Sequence, residues 1–125
     1  MVQKILLDTN FLIDMLRYRA EFSTFQDIEG GVEFFVSSEV LREIKSIANR
    51  RTRVGRLALI ALKLIDERKI KVVQSLKKTV DEDLVALAKT KGFIVATNDK
   101  NLKERLKREN VRVICLRNKK KIEVM

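Results

Sequence analysis

The sequence contains no histidine, no proline and a single cysteine, Cys115. One cysteine cannot form an internal disulfide, and without histidine the common Cys/His zinc clusters are excluded. The lack of histidine also excludes histidine-based acid–base pairs and Ser-His-Asp triads. Any metal ion must therefore be held by oxygen atoms, and any catalysis must depend on carboxylates.

Long apolar runs are also missing. No stretch approaches the roughly 18 residues that a membrane-spanning helix needs, and residues 1–7 lack the apolar core of a secretory signal. The chain has 125 residues, of which 46% are hydrophobic and 35% are charged, a balance typical of one globular domain. We therefore expect a single domain over residues 1–125 that has a cytoplasmic location and no membrane partner.

Acidic residues are too few to balance the basic ones. Lysine and arginine number 27 against 17 aspartates and glutamates, for a net charge of +10, which favours nucleic acid as a partner. A surface of ion-pair networks would explain many charges but not this excess. Residues 100–121 hold ten basic residues and two acidic ones. This segment either contacts the RNA backbone or forms a solvated helix face. It overlaps a basic C-terminal tail, residues 117–125, which is a candidate edge strand.

Short apolar runs alternate with amphipathic segments along the chain. The runs predict five strands, at 4–7, 33–36, 71–73, 93–96 and 112–116. The amphipathic segments predict helices at 10–16, 22–29, 38–50, 54–68, 81–91 and 100–109. This alternation is typical of a parallel sheet with helices on both faces.

In three of the predicted helices, the angular positions of the residues around the helix axis predict which side chains face the core. In the third, Glu43 borders the apolar stripe and Glu39 is rotated toward solvent. In the fifth, Asp81 falls inside the arc of the stripe, whereas Glu82 and Asp83 fall outside it. The fourth, at 54–68, is apolar almost all the way round, which suits a central or an interface helix better than a surface one and makes it a candidate homodimer interface.

Four acidic residues lie close to predicted strand ends. Asp8 ends the first strand, and Asp99 closes the segment that follows the fourth strand. Glu43 lies one turn into the helix after the second strand, and Asp81 begins a helix that faces the same rim. Ligands of such sheets bind outside the carboxyl ends of the strands, so these acids should converge. Their mutual repulsion would be relieved by Mg²⁺ or Mn²⁺, ions that support phosphodiester hydrolysis.

In four ordered segments the sequence resembles the PIN domain nucleases. Residues 5–10, Ile-Leu-Leu-Asp-Thr-Asn, match their opening strand and first acid, and residues 36–44 match the strand–helix segment that carries their glutamate. Residues 81–92 match the helix that begins with the third acid, and residues 94–102 match their closing Thr-x-Asp segment. The resemblance implies a three-layer α/β/α sandwich with a mostly parallel five-stranded sheet, and cleavage of single-stranded or structured RNA. It also implies an antitoxin or a ribosome-assembly protein as partner, because the family includes toxin ribonucleases and nucleases of ribosomal RNA processing.

The resemblance assigns roles to individual residues. The metal ligands, direct or through water, would be Asp8, Glu43, Asp81 and Asp99, with Asp83 as the alternative to Asp81. The groups that orient these ligands would be Thr9, Asn10 and Thr97. Basic residues near Glu43 and after Asp99 are the candidates for RNA contact: Arg42, Lys45, Lys100, Lys103 and Lys107.

Each acid also has an ordinary interpretation when it is taken alone. Asp8 and Asp99 could cap the helices that follow them, Asp81 could be a first-turn acid favoured by the helix dipole, and Glu43 could be solvated. Their order along the chain favours a shared site instead. A non-catalytic RNA-binding or scaffold protein with the same fold is the alternative function. The loss of one acid would indicate that case, and all four are present.

Overall fold

Six strands form one sheet in the part of the chain that this computed structural model describes, residues 2–18, 25, 30–117 and 121–124. The strands are β1 (Gln3–Leu7), β2 (Val32–Ser37), β3 (Lys71–Val73), β4 (Ile94–Ala96), β5 (Val113–Arg117) and β6 (Lys121–Val124). Their order across the sheet is β3-β2-β1-β4-β5-β6. The first five are parallel, as the sequence predicted, and β6 pairs antiparallel with β5. The sixth strand was not among the five predicted from apolar runs, because a short charged segment becomes a strand only when a neighbouring edge offers pairing. It lies at the edge of the sheet, within the tail 117–125 that was a candidate edge strand.

The helices of the described residues are α1 (Thr9–Arg17), α2 (Ser38–Ala48), α3 (Arg53–Asp66), α4 (Val80–Lys91) and α5 (Lys100–Arg108). Each corresponds to a predicted helix. The further helix predicted at 22–29 lies outside the described residues except for Phe25, which is buried and packs edge-on against Phe34. None of the described helices is long and apolar enough to cross a membrane.

Local hydrogen bonds define where several helices begin and end. The Ser37 hydroxyl accepts the Val40 N–H at 3.1 Å at the start of α2, and the Thr52 hydroxyl accepts the Gly55 N–H at 3.0 Å at the start of α3. Such caps satisfy amide donors that have no partner within the helix. Gly92 ends α4 with a φ of 72°, a left-handed conformation that glycine adopts without steric cost.

The strand order creates a switch point between β1 and β4. The chain moves from β1 to β2 to β3 in one direction across the sheet, and from β4 to β5 in the other. Because parallel crossovers are right-handed, α1, α2 and α3 cover one face, and α4 and α5 cover the other. Strands covered on both faces are apolar throughout, and Ile5, Leu6 and Leu7 of β1 are fully buried.

The helix predicted to be apolar all round, α3, is buried on only one side. It packs against α1 and α2 through small residues, and Gly55, Ala58 and Ala61 are buried there. Leu59 and Ile60 point away from the core and are 55% and 48% exposed. The small side chains let the helices approach closely, so the larger apolar residues of α3 are left on the surface.

Candidate active site at the switch point of the sheet

Asp8 lies directly after β1, at the switch point. Its backbone N–H donates to the Ala96 carbonyl oxygen at 2.9 Å, which ties the end of β1 to the end of β4. Only 7% of the residue is exposed. Although Asp8 is the N-cap residue of α1, its side chain makes no capping hydrogen bond. The capping interpretation of this acid is therefore wrong, because its carboxylate does not accept an N–H group at the start of α1.

The Thr97 hydroxyl connects Asp8 to the segment after β4. It donates to Asp8 Oδ2 at 2.8 Å and accepts the backbone N–H of Asp99 at 3.1 Å. Thr97 is itself fully buried, so this bridge is shielded from water. Asp99 is exposed, and its Oδ1 accepts the Leu102 N–H at 2.8 Å as the cap of α5. One oxygen of Asp99 is thus used structurally, while the residue stays linked to Asp8 through Thr97.

The surroundings of Asp8 favour its protonated form. Burial raises the pKa of Asp8 from 3.8 to about 6, chiefly because the carboxylate loses its hydration. The Thr97 hydrogen bond lowers the pKa, and so does the Thr9 amide, since both stabilise the charged form. The carboxylates of Asp81 and Glu43 raise it further by repulsion. Ionisation of Asp8 therefore costs free energy in the folded chain, and a nearby cation would offset that cost.

Glu43 and Asp81 reach the same region from two helices. Glu43 lies in the second turn of α2, Asp81 in the first turn of α4, and both are exposed. Because the charge of each raises the pKa of Asp8, both lie within its electrostatic reach. Among the described residues, however, no three acidic or cysteine side chains lie close enough together to hold one metal ion. The four acids therefore do not form the closed cluster that was predicted, because carboxylates of like charge repel one another.

Asp83 faces the interior, contrary to the helical phase, which placed Asp81 on the buried side and Asp83 outside it. Asp83 is fully buried and its Oδ1 accepts two backbone N–H groups, from Leu76 at 2.6 Å and from Lys77 at 3.0 Å. Its Oδ2 is buried without a hydrogen-bond partner in the described part of the chain. The loop before α4 folds back over this side of the first turn, whereas Asp81 is exposed. Asp83 therefore anchors a loop, whereas the exposed Asp81 lies within electrostatic reach of Asp8.

The same loop covers the start of α2. The Ser75 hydroxyl accepts the Glu39 N–H, and the Ser75 N–H donates to the Ser38 hydroxyl, both at 2.9 Å. The Glu39 side chain is consequently only 19% exposed, while Glu43 is exposed. Helical phase predicted the reverse order, since it could not include a loop from elsewhere in the chain. Residues 75–77 are thus fastened to both α2 and α4.

A groove of about 460 Å³ lies beside Glu43, between α2 and the start of α4. Glu39, Arg42 and Ser46 line it with Glu43 on one side, and residues 78–80 form the other side. Lys78 is a basic residue of this groove that sequence reasoning missed. The available signal was the lysine pair at 77–78, directly before Thr79, the cap residue of α4.

The predicted orienting residues differ in their surroundings. Thr9 is fully buried, and its hydroxyl has no hydrogen-bond partner in the described part of the chain. Asn10 is exposed. A further residue, Asn98, was not predicted: its side-chain oxygen accepts the Leu116 N–H at 2.8 Å and its amide donates to Asp14 at 3.4 Å. Asn98 therefore joins the end of β4 to α1 and β5, next to Thr97.

The predicted RNA-contact residues lie on two helices that flank the rim. Arg42 and Lys45 are exposed on α2, and Arg42 pairs with Glu39 at 3.5 Å. On α5, Lys100 and Lys107 are exposed and Lys103 is half-buried. The structure thus leaves cationic surface on both sides of the carboxylates.

The fold is an α/β sheet, parallel over β1 to β5, with acidic side chains at the switch point where ligands of such sheets bind. The chain matches the PIN-like domain family over residues 5–119, and it belongs to that family. It is similar to ribonuclease VapC4 of Methanocaldococcus jannaschii, with 33% identity over 97% of this chain and 95% of the relative.

Solved structures agree with this assignment. The PIN domain endonuclease Utp24 superposes with a TM-score of 0.77 and 26% identity, covering 97% of this chain and 90% of that one. A domain of a functionally unknown protein from Methanocaldococcus jannaschii has a TM-score of 0.67 at 19% identity, covering 93% of this chain and 92% of that one, and shares the fold. The fold and family expected from the sequence are confirmed.

Proposed function

We propose that this chain is an endoribonuclease that requires Mg²⁺ or Mn²⁺ and hydrolyses phosphodiester bonds in single-stranded or structured RNA. The observation that carries the proposal is the position of Asp8, a buried carboxylate at the switch point that accepts a 2.8 Å hydrogen bond from Thr97 and lies within electrostatic reach of Asp81 and Glu43. Two relatives support the activity, since one is named a ribonuclease and the other an endonuclease.

The side chains at the rim fit a hard divalent cation. All are oxygen donors, and a cation beside Asp8 would offset both its lost hydration and the repulsion from its neighbours. We assign the ligands, direct or through water, as Asp8, Glu43, Asp81 and Asp99. When bound, the ion supplies Lewis-acid chemistry to phosphodiester hydrolysis.

The remaining groups orient these acids. Thr97 holds Asp8 by a 2.8 Å hydrogen bond and favours its ionised form. The buried Thr9 hydroxyl and the exposed Asn10 amide flank Asp8 at the start of α1, and we assign them the same orienting role. Exposed Glu43 and Asp81 can change rotamer without disturbing the core, so they can adjust to a ligand that Asp8 positions.

The test is cleavage of labelled single-stranded RNA with Mg²⁺, with Mn²⁺ and with a chelator. Cleavage is expected with the ions and not with the chelator. Asp8→Asn and Asp99→Asn should abolish it, and asparagine at 99 still caps α5. Asp66→Asn, which removes an exposed carboxylate at the end of α3, is the matched control and should cleave normally. Cleavage that persists in chelator, or none with either ion, would contradict the proposal.

A non-catalytic RNA-binding or scaffold role is the second candidate. The loss of one of the four acids would favour it, whereas all four are present in this sequence. For a non-catalytic protein the same assay would show RNA binding without cleavage under any of the metal conditions.

We propose RNA contact by Arg42 and Lys45 on one side of the rim and by Lys100, Lys103 and Lys107 on the other. Phosphate contacts release counterions, so RNA affinity should fall with salt concentration. Changing Lys103 and Lys107 to alanine should flatten the slope of log affinity against log salt by about 1 to 1.5. An unchanged slope would limit RNA contact to the α2 side.

We propose that two copies of the chain pair through α3, because Leu59 and Ile60 are exposed on a helix whose opposite side is buried. A closed two-fold pair would cover both residues in each copy. For the further partner we retain the two expected kinds, an antitoxin and a ribosome-assembly protein. Growth arrest on expression in a host that lacks the partner would indicate the antitoxin case.

We also propose a cytoplasmic location. A chain with one cysteine has no internal disulfide and suits a reducing compartment. Cell fractionation with an antibody against the chain tests it.

A further inference from the structure

A second basic site lies at the opposite end of α2 from the candidate active site. The turn between α2 and α3 encloses a cavity of about 390 Å³, lined by Arg50, Arg51 and Arg56 and closed by Ala48 and Leu59. Three arginine residues in the lining of one cavity suit phosphate oxygens, which a guanidinium group binds in a bidentate manner.

The three arginines have no anionic partner within the described residues. The ion pairs there involve other cations, namely Arg17, Arg42, Lys71 and Lys89. The sequence explains this, because residues 44–65 contain six lysines and arginines and no acid. The positive charge of the cavity is therefore not neutralised by the chain itself.

The turn that carries these arginines is held by short-range contacts. Gly55 is buried in the first turn of α3, and a Cβ at this position would lie 2.1 Å from the Arg50 carbonyl oxygen. Thr52 accepts the Gly55 N–H through its hydroxyl and the Arg56 N–H through its carbonyl oxygen, at 3.0 and 3.1 Å. Arg50 and Arg51 thus extend from an ordered turn and Arg56 from the first turn of α3, so a ligand that binds them loses little backbone entropy.

The cavity is connected to the candidate active site along α2. Glu43 and Arg50 are seven residues apart in the sequence, which corresponds to roughly 10 Å along a helix axis. The exposed residues between them on this helix are Lys45, Ser46 and Asn49, none of which is acidic. A nucleic acid strand that enters the groove beside Glu43 therefore meets no repulsive charge on α2 before it reaches the arginines.

We infer that the α2–α3 turn is a second binding site for the RNA backbone, occupied by phosphates several nucleotides from the bond that is cut. The inference rests on the proposed ribonuclease function and adds a substrate path along α2 to it. The continuity with the groove beside Glu43 favours an RNA strand over an acidic protein as the occupant of the cavity.

The experiment compares the Arg50→Ala, Arg51→Ala, Arg56→Ala triple variant with a control that loses the same charge at exposed lysines elsewhere, Lys63→Ala, Lys69→Ala, Lys91→Ala. Both are placed in an Asp99→Asn background with Mg²⁺, and affinity for RNAs of increasing length is measured against salt. For long RNA the arginine variant should bind roughly tenfold or more weakly, and its slope of log affinity against log salt should flatten by about 2. For an RNA too short to reach the turn, the two variants should bind equally.

When the arginine variant is made without the Asp99→Asn change, it should cut the short RNA at the wild-type rate. It should show a raised KM for the long RNA. Equal binding of long RNA by the two triple variants would overturn the inference while leaving the ribonuclease proposal intact. Loss of binding to an acidic peptide without any loss for RNA would also overturn it, and would assign the cavity to a protein. A wild-type chain that binds RNA but does not cut it would contradict the ribonuclease proposal alone.

Discussion

Replacing Asp8 by asparagine should stabilise the fold at neutral and alkaline pH in the absence of metal. The pKa of Asp8 rises from 3.8 to about 6 on folding, which corresponds to about 3 kcal/mol. Because the folded-state pKa is raised, the native chain binds the proton more tightly than the unfolded chain. The contribution of Asp8 to stability is therefore fully present below pH 3.8 and is lost as the pH rises through about 6. Asparagine keeps an oxygen that can accept the Thr97 hydrogen bond but cannot ionise.

Urea unfolding followed by circular dichroism, in chelator, measures this effect. The free energy of unfolding of Asp8→Asn should exceed that of the wild type by about 3 kcal/mol at pH 8 and by about 1 kcal/mol at pH 4.5. Asp66→Asn, at an exposed position, should leave the difference between the two pH values unchanged. An Asp8→Asn variant that is no more stable than the wild type at pH 8, or that gains equally at both pH values, would refute the electrostatic account of Asp8.

Three further perturbations test the contacts around the site. Asp83→Ala should lower the free energy of unfolding in urea by about 2–4 kcal/mol, because two backbone N–H groups lose their acceptor. Asp83→Asn keeps an acceptor oxygen and should lower it by less than half of that. Equal losses in the two variants would contradict the anchoring role. Thr97→Val should raise the pKa of Asp8 above about 6 in a carboxyl NMR titration, because a hydrogen bond that lowers it is removed, and Thr97→Ser should restore it. Leu59→Glu with Ile60→Glu should convert a dimer to a monomer in light scattering, whereas a wild-type monomer at micromolar concentration would contradict pairing through α3.

The sequence determined the parallel sheet, because continuous apolar runs such as β1 suit strands buried on both faces. It also determined the order of the acids relative to strand ends, since Asp8 follows β1 directly and Asp99 lies in the short segment between β4 and α5. The switch point then brings the ends of these two strands together. These features follow from local pattern and from the handedness of parallel crossovers, which require no knowledge of distant contacts.

Other features were decided only by tertiary structure. Helical phase fixes the direction of a side chain from its helix axis but not what lies there, so the loop at 75–77 reverses the predicted exposure of Asp81 and Asp83. The exposure of Leu59 likewise depends on which side of α3 carries the small residues that meet α1 and α2. The raised pKa of Asp8 comes chiefly from burial and to a smaller extent from two carboxylates of distant segments, and both effects depend on distances in space and not along the chain.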